Sequence, residues 1–336
     1  MKWFVMTCLA AAAIISAPEL GSAQVIKLGT IAPRGSVWFD ALQDMGAAWK
    51  AESGGSIELV IYPGGVAGDE PDMVRKMRIG QLQAAALSEA GLHQILPEVR
   101  ALMMPMVLHS YAELDCVRDR VAPELERLFE AKGFKILNWG DAGWIRFFTT
   151  KPVVRPDELK PLKIFVWAGD DTAVADAWKD AGYQPVPMAV PDILTGLESG
   201  LINAVPTTPI AALSFQWFGL APHMTDVKWA PLVGATVITM RAWNVIPDPL
   251  KPQLLQTAQS AGARLRQQVR PLEDEAIKAM VGHGLTVHQV PPEIQAAWEA
   301  SATAAYRNRI GSLVPPAMLA EVERLRDECR AAQPAQ

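Results

Sequence analysis

The sequence predicts an α/β protein built from two separate units. Short apolar runs of strand length alternate with stretches of helix length, at a spacing that suits mixed or parallel sheets flanked by helices. The alternation pauses and restarts, with a first boundary near Gly140–Gly143. A late apolar strand, followed by mainly helical chain, then returns to stitch both units together.

In the first unit, Val25–Gly29 reads as a strand, and Ser36 opens a helix that runs to about Glu52. Ile57–Tyr62 is a second strand. The glycine-rich turn Pro63–Asp69 follows, then a helix over Glu70–Arg78 and a strand over Gln81–Leu87. The pattern resumes with strands at Phe134–Trp139 and Lys163–Trp167. A helix over Thr172–Ala181 is closed by Gly182. Tyr183–Pro187 is a strand, Asp192–Glu198 a helix and Leu201–Val205 a strand. Leu232–Met240 is the late strand, and the region from Pro247 is mainly helical, including Pro249–Val269. Ligands in open α/β sheets bind beyond the carboxyl ends of strands, so two such units place the natural site in the cleft between them.

Composition excludes some functions. Of 336 residues, 50% are hydrophobic and 20% charged, which is a folded, globular profile. A formal net charge of -5 argues against binding nucleic acid through bulk charge. At the N-terminus, Met1-Lys2 precedes an apolar run from Trp3 to Ala17, with small residues at Gly21 and Ala23. This predicts a secretory signal peptide over residues 1–23, cleaved after Ala23. The rival reading, a membrane anchor, needs about 20 apolar residues, and this run is shorter. Cys116 and Cys329 remain after cleavage. In an oxidising compartment they either pair or stay as two free buried thiols, and the sequence does not choose between these.

No catalytic constellation emerges. His93, His109, His223, His283 and His288 lack metal-binding spacing, and no serine sits in a GxSxG elbow. The residues give no metal-ligand set and no cofactor motif. Tyr62–Asp69 is the one glycine cluster resembling a phosphate cradle, but no Lys-Ser or Lys-Thr follows it, and it reads as a turn. Tryptophan is the more telling residue type. Leaving out Trp3, ten of the eleven remain, and clefts for small molecules are commonly lined by such side chains. Trp49, Trp178 and Trp298 read as core. Trp144, Trp167 and Trp217 stand at or near element ends, where a ligand could reach them.

Several segments in fixed order resemble the DctP-type solute-binding proteins of tripartite ATP-independent periplasmic (TRAP) transporters. They are LGTIAPRGS at Leu28–Ser36, YPGGVAGDEPDMVRKMRIGQL at Tyr62–Leu82, and LPE at Leu96–Glu98. The series continues with AKGFKILNWGDAGWIRFFTTKPV at Ala131–Val153, RPDELKPLKI at Arg155–Ile164, AGYQPVPM at Ala181–Met188 and LTGLESGLINAV at Leu194–Val205. The resemblance implies a periplasmic-binding-protein-like fold, with hinge strands and a long helix spanning both domains. Domain I is then 24–143 plus about 229–270, and domain II is 144–228 plus about 271–336. It also implies a periplasmic receptor, not an enzyme, that delivers a small organic ligand to membrane permease subunits. Some relatives work with a tetratricopeptide-repeat partner. A ligand-sensing module for a receptor is the competing reading.

The resemblance further implies that an arginine in the pattern Gly-Leu-Lys-Ile-Arg-Val-Pro clamps a ligand carboxylate. Here the segment reads Pro161-Leu-Lys-Ile-Phe-Val-Trp167, with Phe165 in the arginine's place. A second family segment, Asp-Gly-x-Glu-Asn-Pro, is replaced by Asn203-Ala-Val-Pro-Thr-Thr-Pro209. Burying an unpaired anion is costly, so the reading favours an amphipathic or hydrophobic ligand. Phe165, Trp167, Trp144 and Trp217 form its walls, with Thr207, Thr208, Ser88 and Glu89 as polar contacts. The alternative is a carboxylate ligand held by Arg146, which shares a strand face with Trp144.

Overall fold

The structure, a computed structural model, describes residues 23–168 and 172–332. Apart from Ala23, the signal-peptide reading falls on residues outside the described part. The described chain forms two mixed sheets flanked by helices. In the first sheet the strands are β1 (Gln24–Thr30), β2 (Ile57–Tyr62), β3 (Ala84–Ser88), β4 (Phe134–Trp144) and β10 (Pro231–Thr239), in the order β2-β1-β3-β10-β4. In the second they are β5 (Arg146–Thr149), β6 (Lys163–Trp167), β7 (Gln184–Met188), β8 (Ala204–Thr207), β9 (His223–Asp226) and β11 (Thr286–Gln289). Their order is β11-β9-β5-β8-β6-β7.

The first three strands run parallel, and β10 closes the first sheet antiparallel to both β3 and β4. The late apolar strand therefore returns to the first sheet. In the second sheet, β6 lies parallel to β7 and β8. Ile164, Phe165 and Val166 are all buried, so this strand shows an unbroken apolar run instead of alternation.

The helix Lys251–Val281 has 31 residues, a length of roughly 46 Å at the α-helical rise. Its first half packs Leu254, Ala258 and Ala261 into the core under β1. Its second half packs Val269 and Ala276 against Ile210 of the second unit. Gly262 permits this close approach: a Cβ there would stand 2.8 Å from the Trp139 carbonyl oxygen and 2.7 Å from Asn138 Cβ. Any side chain would lift the helix off β4.

The C-terminal helix Pro316–Ala332 lies on the helix Tyr111–Ala131, with the first unit and not with the second, where the sequence reading placed it. Cys116 and Cys329, 213 residues apart, pair across this contact as a disulfide. Arg330 adds an ion pair to Glu113 at 3.0 Å.

Candidate ligand-binding cleft

The carboxyl ends of β1, β3, β6 and β8 converge on a cavity of 360 Å³ between the two sheets, reached by Thr30, Ser88, Trp167 and Thr207. Most of its wall is apolar and aromatic. Phe165 and Trp167 meet at 5.9 Å between ring centroids, and Phe215 stacks on Trp217 at 4.6 Å. Trp38 enters from the first turn of the helix Val37–Glu52 and packs against the core of the second unit. Walls from both units enclose one volume, the arrangement for holding a small molecule out of water.

The polar side of the cavity is built around two glutamates. Glu89 accepts from Arg100 Nε at 2.7 Å and lies 3.2 Å from His93 Nδ1. Burial opposes its charge, but Arg100 and His93 outweigh burial and hold the carboxyl far below its ordinary range. Burial likewise disfavours a charged His93, yet the Glu89 charge and hydrogen bonds raise its pKa overall. Among the described residues, Arg100 and His93 are the basic side chains on the cavity wall.

Glu70 sits deeper, and among the described residues no ion pair reaches it. Its carboxylate accepts from Ser88 N at 3.0 Å, Ser88 Oγ at 2.9 Å and Gly91 N at 2.8 Å. Burial dominates these bonds and pushes its pKa up to about 7. A folded-state pKa above the unfolded value means stability is fully present below about pH 4.5 and is lost as pH rises through about 7. That loss is on the order of 3 kcal/mol by linkage. Glu70→Gln can keep all three bonds on one oxygen. It is expected to flatten the fall in urea-unfolding free energy between pH 5 and pH 8; an unchanged slope would refute the assignment.

One carboxylate bridges the two units beside Trp167. Asp69 caps the helix Glu70–Arg78, accepting from Glu70 N at 2.9 Å. The same carboxylate accepts from Trp167 Nε1 at 2.9 Å and Val190 N at 3.3 Å, both in the second unit. The adjoining turn permits the approach. Gly65 has φ +75°, and a Cβ there would lie 3.1 Å from Pro191 Cγ.

The chain matches the bacterial extracellular solute-binding protein family 7, DctP, over residues 28–311. It belongs to that family. It resembles the Escherichia coli 2,3-diketo-L-gulonate-binding periplasmic protein YiaO, at 25% identity over 69% of this chain and 71% of the relative. It also resembles the sialic acid-binding periplasmic protein SiaP of Vibrio cholerae, at 19% identity over 85% and 89%. Among solved structures, a TRAP periplasmic solute-binding protein from Xanthobacter autotrophicus with bound β-D-galacturonate superposes with TM-score 0.83 and 20% identity. It covers 90% of this chain and 99% of the other. A Roseobacter denitrificans protein with bound L-galactonate gives TM-score 0.82 and 20% identity over 90% and 99%. This DctP-family chain is thus a solute-binding protein of TRAP-type transport with the two-domain fold of these receptors, and not an enzyme.

Within this DctP-family protein, Phe165, Trp167, Trp217, Thr207, Ser88 and Glu89 all line the cavity. Ser88 also has structural work, since its Oγ donates to Glu70 and accepts from Ala90 N. Thr208 does not line the cavity; it is fully buried and caps the helix Pro209–Ser214 through Ala211 N. Trp144 is fully buried beneath Tyr111, with ring centroids 5.7 Å apart, and does not form a wall.

Arg146 is not on the cavity wall either. It is 5% exposed, donates to Asp226 Oδ1 at 2.9 Å and to the Trp144 carbonyl, and is ion-paired with Glu273. Strand alternation places Arg146 and Trp144 on one face only if one strand is continuous, and the strand breaks between them at Ile145. Asp69, Trp38, His93 and Arg100 were missed by the sequence reading. The visible signal for Asp69 was its place as an N-cap after a glycine-rich turn.

Proposed function

We propose that this protein captures a small organic acid with a largely apolar body and presents it, in the periplasm, to a TRAP-type permease. The observation that carries the reading is the composition of the cavity: aromatic walls from both units and one end bearing Arg100 and His93. Relatives named for acid ligands favour a carboxylate, as does the presence of a cationic end. The aromatic surface at Phe165, Trp167 and Trp217 favours an apolar remainder over a sugar ring clothed in hydroxyls. In this reading the carboxylate lies toward Arg100 and His93, beside the Glu89 they already hold. Arg146 has a scaffolding role.

Tryptophan-fluorescence titration with phenylacetate, 2-phenylethanol and D-glucuronate tests this. Phenylacetate is expected to bind, and the neutral alcohol to bind at least roughly tenfold more weakly, since a charged hydrogen-bonding partner is worth about 1.5–3 kcal/mol. Equal binding of the alcohol would remove the carboxylate from the reading. Binding of D-glucuronate alone would replace the apolar acid with a sugar acid. Native mass spectrometry of ligand retained through purification gives an independent identification.

A further inference from the structure

The indole of Trp167 is held from the other unit. Trp167 belongs to β6, lines the cavity and tilts against Phe165. Its Nε1–H can only donate, and it donates to Asp69 Oδ2 of the first unit. The two oxygens of Asp69 divide their work. Oδ1 accepts from Glu70 N and caps the helix Glu70–Arg78. Oδ2 accepts from Trp167 Nε1 at 2.9 Å and from Val190 N at 3.3 Å. Asp69 is 8% exposed, and burial opposes its charge; the three N–H groups offset part of that cost.

With its N–H committed to Asp69, Trp167 shows cargo an aromatic face and no donor. Asp69 and Trp167 belong to different units, so this hydrogen bond exists only where the units meet. We propose that Asp69 is a positioning residue of the cleft: through Oδ2 it fixes the Trp167 indole from the opposite unit, so that this part of the aromatic wall is set before cargo arrives. A side chain already ordered in the free protein spares the cost of ordering it on binding, a factor of roughly two to ten in affinity for one indole. The affinity part of the proposal rests on the reading of the cargo as an acid with an apolar body.

Asp69→Asn isolates the contact. Asparagine caps a helix as well as aspartate does, through Oδ1, but it puts an NH2 group where Oδ2 accepted and so faces the Trp167 N–H with a donor. Thermal unfolding checks that the variant folds. In the ligand-free protein, labelled with ¹⁵N at tryptophan, the Trp167 indole N–H is identified by its loss in Trp167→Phe. In Asp69→Asn that resonance is expected to move upfield and to exchange faster with solvent. Phenylacetate binding is expected to weaken roughly two- to tenfold in Asp69→Asn. In a Trp167→Phe background, where the ring has no N–H to lose, Asp69→Asn is expected to change affinity by less than about twofold. An unmoved Trp167 resonance would overturn the proposal. So would an equal loss of affinity with and without the Trp167 N–H, which would mean that Asp69 acts through its charge or its cap. If the wild-type protein binds D-glucuronate and not phenylacetate, the apolar-body reading fails, and the same cycle run with D-glucuronate decides this proposal separately. If it binds neither acid, the carboxylic-acid reading fails, and the ligand-free Trp167 resonance alone decides whether Asp69 fixes the indole.

Discussion

Glu273→Ala is expected to destabilise the protein by about 3–5 kcal/mol, the cost of breaking a buried ion pair from one side. Glu273 and Arg146 have side chains only 6% exposed, and Tyr111 Oη also donates to Glu273, at 2.7 Å. Removing the carboxylate strands a guanidinium and a phenol at once. Asp226, with its side chain 31% exposed, would then be the only carboxylate left to Arg146 among the described residues. Arg146→Met combined with Glu273→Leu is expected to recover much of the loss, because a well-packed apolar pair often replaces a buried ion pair without penalty. The double-mutant cycle by urea unfolding isolates the coupling. The same variants separate two roles for Arg146. A scaffold residue leaves phenylacetate affinity within about threefold in variants that remain folded, whereas a carboxylate clamp would lose binding with Arg146→Met even where Glu273→Leu restores stability.

The contrast between Arg146 and Phe165 shows which parts of the site the sequence could carry. A β-strand of five residues fixes its own side-chain alternation, so Lys163–Trp167 alone puts Phe165 and Trp167 on one face. Helix caps are equally local: Ser36 and Asp69 each stand directly before the helix they start. Ion pairing is not local. Arg146 finds Asp226 and Glu273 80 and 127 positions away, and nothing in a single sequence distinguishes these acids from the others. The disulfide, spanning 213 residues, was undecidable for the same reason. The strands β5, β9 and β11 have four residues each, too few for a period to stand out. Trp144 misled differently. An element end usually opens to solvent, but here the helix Tyr111–Ala131 lays its first residue over the indole.

Phe165→Ala is expected to lower both stability and affinity, and the two losses have different origins. The ring is 6% exposed and packs with Met188, Ile193, Val205 and Trp217, so truncation is expected to cost about 3–5 kcal/mol of folding free energy. It also faces the cavity, where the loss of its contact surface is expected to weaken phenylacetate binding roughly tenfold at a temperature where the variant remains folded. Phe165→Leu separates the terms, because it keeps much of the apolar volume while removing the flat aromatic face. Recovery of stability without recovery of affinity would assign the aromatic face to the ligand. Recovery of both would leave Phe165 as a volume filler. Phe165→Arg, which installs the arginine that the family resemblance implies at this position, is expected to fold least well of the three. Its guanidinium would enter a core containing Met188, Val190, Ile193 and Val205, with Trp167 tilted against it. A Phe165→Arg variant as stable as wild type, with D-glucuronate now bound, would mean that the surrounding cleft is already arranged for a carboxylate clamp and that the aromatic ring alone redirects its cargo.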